Sequence, residues 1–203
     1  MTEAQSPFDT ALALIDAANG EDPNRETAGG EDWPKELLYS QRMSDMLARY
    51  APEADEAMRL AARAQHIQRW KTPRNSYPAG RQGYLQWRSG LYKFHADTAG
   101  EILARAGYGD DVVQRVRKAV GKRGVKSNPD AQLLEDVASL VFIEHYMLPF
   151  AESHPEYDEA KWIDIIRKTW RKMSERAHEF ALSGGVAVPE SLAPLVHKAV
   201  AGE

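Results

Sequence analysis

Arg81, Arg88 and His95 stand seven residues apart, two turns of an α-helix, so in one helix they share a face, with Tyr84 and Leu91 between them. The segment before them supplies Arg74 and Tyr77, and His66 and Arg69 come one turn apart just upstream. A lone arginine on such a face is ordinary solvated surface. Two arginines, a tyrosine and a histidine in register instead favour a groove that faces a ligand. The arginine fork matches phosphate or carboxylate oxygens, and Tyr77, Tyr84 and Trp87 offer flat surfaces on which a base could stack.

A second group lies in the run LLEDVASLVFIEHY, where Glu135 and Asp136 interrupt an apolar helix. Buried carboxylates need partners, and arginines or a metal ion serve equally well on composition alone. Lys161, Lys168 and Lys172 read as a solvated face opposite Trp162, Ile166, Met173 and Phe180. The segment KMSER and the dipeptide His66-Ile67 invite comparison with the KMSKS and HIGH motifs of class I aminoacyl-tRNA synthetases. Those motifs work on a nucleotide-binding α/β sheet, and no parallel-strand pattern exists here, so the comparison fails.

The elements that position these residues follow from punctuation. Phe8 to Ala18 has helical periodicity and stops at Asn19-Gly20, and the acidic, Gly-rich stretch to Gly30 reads as a surface loop. Asp32 can cap a helix from about Trp33-Pro34 to Ala51. Pro52 opens a third helix running to about Lys71, and 72–79 is an irregular loop with two prolines. Gly80 to Ala106 reads as one long helix closed by Gly107. A short helix from Asp110 to about Gly121, an apolar one over 130–150, a long one over 158–182 and a minor one near 190–200 complete the chain. Strict alternation is absent, so no substantial sheet is expected. The predicted fold is all-α, a single compact helical domain over 1–203 of about seven to eight helices. Residues 1–32 supply an N-terminal helix and acidic loop, and 183–203 a tail with the minor helix.

The 203 residues suffice for one core. Zero cysteines exclude disulfides and thiolate metal sites, and no run is apolar enough to span a bilayer, which makes a cytoplasmic protein the expectation. A net charge of −4 argues against coating nucleic acid by bulk electrostatics, yet residues 1–36 hold mostly acids while 63–126 hold many of the Lys and Arg. That asymmetry implies an anionic ligand at the middle of the fold.

The segments IDAANGEDP, AARAQHIQRWKTPR, YPAGRQGYLQWR, FHAD, LLEDVASLVFIE and KTWRKMS resemble an uncharacterised family of bacterial and fungal proteins of similar length, some of which carry a glutamyl-tRNA synthetase label. More distantly, the chain resembles a degenerate HD-domain protein, from the helical superfamily of metal-dependent phosphohydrolases. LLYSQRMSDMLARY resembles that family's first helix, AARAQHI its His-Asp doublet helix, FHADTAGEILARAGYGDDVVQRV a later histidine helix, and LLEDVASL its aspartate helix. The resemblance places the first histidine on Tyr39 and the doublet on His66-Ile67, so only His66, His95 and Asp136 keep ligand-competent side chains.

What this resemblance implies is an HD-like hydrolase acting on a phosphorylated substrate, such as a nucleotide or an RNA end. His66, His95 and Asp136 would hold one divalent ion (Mn, Fe, Mg or Zn), and Arg69, Arg74, Arg81 and Arg88 would neutralise phosphoryl oxygens. Glu135 would serve as general base or as partner to a metal ligand. The alternative is a non-enzymatic nucleotide- or RNA-binding module built on the same pocket. An iron-dependent oxygenase is a third possibility within the superfamily.

Overall fold

The computed structural model describes residues 5–201, so the outermost ends of the expected domain lie outside the described residues. Helix α1 (Pro7–Gly20) starts at Ser6, whose hydroxyl accepts from the Asp9 amide. The acidic stretch that follows is not a plain loop. It folds into a two-stranded antiparallel hairpin, β1 (Arg25–Ala28) and β2 (Glu31–Pro34), with Ala28 opposite Glu31. Gly29 and Gly30 both have positive φ, which a two-residue hairpin turn requires. Four-residue strands are too short to register as alternation. Asp32 is consequently a strand residue bonded to Arg25, and the N-terminus of α2 (Lys35–Tyr50) is capped by Asp22, whose carboxylate accepts from the Glu36 amide at 3.0 Å.

Helix α3 (Glu56–Arg63) starts later than Pro52 implied, because Asp55 supplies the cap. It also ends well before Lys71. The backbone leaves the helix after Arg63, Gln68 adopts a left-handed conformation (φ 51°) and a short 3₁₀ turn covers Arg69–Lys71. The long helix α4 (Gly80–Arg105) agrees with its expected span, and α5 (Asp110–Val120) packs along it. The loop 72–79 lies on the first turns of α4. A Cβ at Gly83 would sit 1.9 Å from the Pro78 carbonyl oxygen, so only glycine permits that approach.

Helix α6 (Pro129–Val141) passes through a π-helical turn at Phe142–Tyr146 into α7 (Met147–Glu152). The long helix expected over 158–182 is divided into α8 (Glu159–Trp170) and α9 (Glu175–Phe180), because Ser174 caps α9 and its own amide donates to Asp136. Helix α10 (Ala193–Val200) packs on α8. Apolar faces of α1 to α6 and α8 to α10 form one continuous core around Met43, Met46, Leu60, Leu103, Leu134 and Leu140. The architecture is a compact all-α domain. Among the described residues no helix is long and apolar enough to cross a membrane.

Candidate functional site: a cationic, aromatic-walled cavity

Helices α2, α4, α6 and α8 and the turn after α3 enclose a cavity of about 590 Å³. Of the residues singled out in the sequence, His66, Arg69, Tyr84, Trp87, Arg88, His95 and Glu135 line it. The left-handed backbone at Gln68, held by its amide bond to Asn19 Oδ1 at 3.0 Å, reverses the chain between His66 and Arg69 and turns both side chains inward. The Arg69 Nη1 then lies against the His66 ring, 3.0 Å from Nε2 and 3.4 Å from Nδ1, and Nδ1 is 3.6 Å from a Glu36 carboxylate oxygen. Arg69 also lies over the Trp87 ring at 5.1 Å, and Trp87 is fixed by donating to the Thr72 carbonyl at 2.8 Å.

The positions aligned by the HD resemblance are separated. Tyr39 stacks on His66 with ring centroids 4.1 Å apart, and His66 lies 5.7 Å from His95. Ile67 is wholly buried in the core, and Asp136 does not line the cavity. The Asp136 carboxylate accepts from the Ser174 amide at 2.7 Å, the Ser174 hydroxyl at 2.5 Å, Gln132 Nε2 at 2.9 Å and the Tyr50 hydroxyl at 3.0 Å. It therefore pins α6 to the start of α9 and to α2. Successive residues on a helix point about 100° apart, so Glu135 faces the cavity while Asp136 faces the core. Arg81 is exposed on the first turn of α4, Tyr77 packs its hydroxyl toward Gly90, and Arg74 binds the carbonyls of Tyr77, Pro78 and Gly80. Neither Arg81 nor Tyr77 borders the cavity.

These positions do not fit a divalent ion. Among the described residues no group of three or more His, Asp and Glu side chains could hold one, and the Arg69 guanidinium already lies against the His66 ring. The surroundings are cationic instead. Burial, then Arg69, His95 and Lys122, hold the His66 imidazole well below its ordinary range; burial, Arg69 and Lys122 push His95 down to about 3. Both rings are neutral at physiological pH. The buried His95 Nε2 has no protein partner, nor has the buried Gln65 Oε1, which borders the same cavity.

Several lining residues were not legible beforehand. Lys122 follows Gly121 in a left-handed conformation (φ 51°) that lysine adopts at a cost, and its ammonium is bonded to Glu135. Burial raises the Glu135 carboxyl, but the Lys122 ammonium, with Lys172 and Arg88, holds it below the usual range. Lys172 is exposed, as read from sequence, and also borders the cavity, where partial desolvation lowers its ammonium. The π-helical turn after α6 carries Phe142 and Tyr146 to the wall. Such turns recur at functional sites, and the composition of FIEHY gives no sign of one.

Glu36 is buried, and desolvation raises its carboxyl to about 7, against the pull of Arg69. A folded-state value above the unfolded one means that the neutral carboxyl contributes stability below about pH 4.5, and that this is lost as pH rises through about 7. The full shift corresponds to about 3 kcal/mol. Replacing the group with Glu36→Gln removes that loss. In denaturant titrations from pH 4.5 to 7.5, the stability of the variant relative to the parent is expected to rise by about 3 kcal/mol. A flat difference curve would show that Glu36 ionises freely.

Fold and site together define an all-α protein with a cationic, aromatic-walled cavity that, among the described residues, holds no metal-ligand cluster. The chain belongs to the family described as domain of unknown function DUF4202, whose model matches residues 9–196. Neither the curated proteins nor the solved structures hold a match to it.

Proposed function

We propose that the protein binds a phosphorylated, nucleotide-sized anion in this cavity, using guanidinium and ammonium groups where a metal-dependent HD-like enzyme would use an ion. One observation carries the reading. Arg69 and Arg88 are half-buried, face one cavity, and among the described residues hydrogen-bond to His66 and to the Tyr84 and Tyr92 hydroxyls, with no carboxylate at ion-pair distance. Elsewhere Arg63 is neutralised by Asp16 and Arg42 by Glu26, while Arg167 bonds the Ala199 carbonyl on the far side of α8 from the cavity lining. Two uncompensated cations beside Lys122 and Lys172 favour an anion, and Tyr92 and Trp87 supply ring faces that suit a base. The volume falls in the usual range for a small ligand, about 300–1,000 Å³.

Calorimetric titration with AMP, UMP, the matching nucleosides and inorganic phosphate tests this. Nucleotides are expected to bind without added metal and in the presence of a chelator, nucleosides at least tenfold more weakly. Hydrogen bonds to a charged group contribute about 1.5–3 kcal/mol, so Arg69→Gln is expected to weaken nucleotide binding by roughly 10- to 150-fold. No binding by any nucleotide, or equal affinity for nucleosides, overturns the reading.

Hydrolysis of that phosphate ester is a second reading, favoured by the unpartnered His95 Nε2 and by a Glu36 carboxyl that titrates near neutrality. The Glu36 carboxylate would take the proton of a water that attacks phosphorus and hand it to the leaving oxygen as the ester P–O bond breaks, with His95 Nε2 accepting a hydrogen bond that orients the water. Phosphate release from bound nucleotide in excess chelator supports this step. Bound nucleotide recovered intact overturns it and leaves the binding module.

A further inference from the structure

The cavity does not end at Trp87. A second hollow of about 630 Å³ continues outward and shares Lys35, Glu36, Arg69 and Trp87 with the first. Its own lining adds Arg25 and Asn24 from the hairpin side and Trp70, Thr72 and Arg74 from the turn after α3. Both hollows thus repeat one chemistry. Each has an indole or phenol ring beside cationic side chains, and they meet at the Arg69 guanidinium stacked on the Trp87 face. Either volume alone suits one small ligand, and the two together exceed that range. The inner end is also where the unpartnered His95 Nε2 and Gln65 Oε1 sit, so the more tightly recognised group belongs inside and the rest of the ligand leads out.

We propose that the ligand is the phosphorylated end of a short single-stranded oligonucleotide. Its terminal nucleotide occupies the inner cavity, and its second nucleotide lies in the outer hollow against Trp70 and Trp87. The argument rests on the nucleotide reading above and adds the length of the ligand. Arg69 borders both hollows, where the phosphate joining the two nucleotides would lie, and Arg74 and the Asp32-paired Arg25 border the outer one. Stacking of one more base on an aromatic side chain corresponds to about 1–3 kcal/mol, a 5- to 150-fold gain in affinity. The outer hollow, of about 630 Å³, suits one such addition, so the gain is expected to stop at two units.

The test is a ladder of 5′-phosphorylated oligoadenylates of one to four nucleotides, titrated into the full chain at fixed salt. Affinity is expected to rise at least fivefold from one unit to two and less than threefold with each further unit. Trp70→Leu, which alters only the outer hollow, is expected to abolish the gain at the second unit and to leave AMP affinity within threefold. Arg25→Gln, an exposed change that folding tolerates more readily, is expected to reduce the same gain and its salt dependence. A ladder that is flat while AMP binds overturns this inference and leaves the nucleotide reading standing. No binding by AMP or by the ladder overturns both.

Discussion

Asp136→Ala is expected to lower the stability of the protein by about 3–5 kcal/mol without passing through any metal. The substitution leaves the Ser174 amide, the Ser174 and Tyr50 hydroxyls and Gln132 Nε2 facing a buried void where a carboxylate accepted from all four. Orphaned donors cost about 1–3 kcal/mol each before relaxation, and losing one side of a buried charged network about 3–5 in all. For a domain of this size the expected fall in Tm is roughly 6–20 °C. Asp136→Asn keeps the shape and one acceptor, so an intermediate loss is expected. Nucleotide affinity of the refolded or low-temperature protein is expected to change less than threefold, because Asp136 does not line the candidate cavity. A Tm unchanged in Asp136→Ala, or a divalent-metal affinity abolished by it, would return this residue to the role suggested by the HD resemblance.

The case of Asp136 shows what was legible in the sequence and what was not. Helix α4 was readable because Gly80, Gly107 and a long periodic run delimit it, and its face delivered Tyr84, Arg88 and His95 to one cavity. Arg81 fell outside because the first turn of α4 is covered by no neighbouring helix and stays in solvent. Glu135 and Asp136 could not be told apart from sequence, since both interrupt the same apolar run. Their assignment depends on the rotation of α6, which the packing of α2 and α9 fixes. Lys122 and Glu36 are absent from any motif. Their roles arise from a left-handed turn and from an N-terminus capped fourteen residues upstream by Asp22, both of which are tertiary. The break between α8 and α9 was invisible for the same reason, because Ser174 caps a helix only where Asp136 receives its amide.

The same reasoning gives Lys122 the second large effect. Lys122→Ala is expected to cost about 3–5 kcal/mol, because it keeps an unfavourable left-handed backbone and leaves Glu135 buried without its ammonium. Lys122→Gly is expected to be milder by about 1 kcal/mol, since glycine relaxes that backbone. The double variant Lys122→Gly with Glu135→Leu removes strain and charge pair together, and apolar replacement of a buried pair is neutral or stabilising. Chemical denaturation of the three variants is therefore expected to rank the double variant at or above the parent. Its AMP affinity is expected to fall at least tenfold, because Lys122 is one of the cations that make the cavity attract an anion. If the double variant binds AMP as the parent does, the pair is a structural staple. If stability recovers while binding is lost, the strained backbone and the buried charges are retained for the ligand.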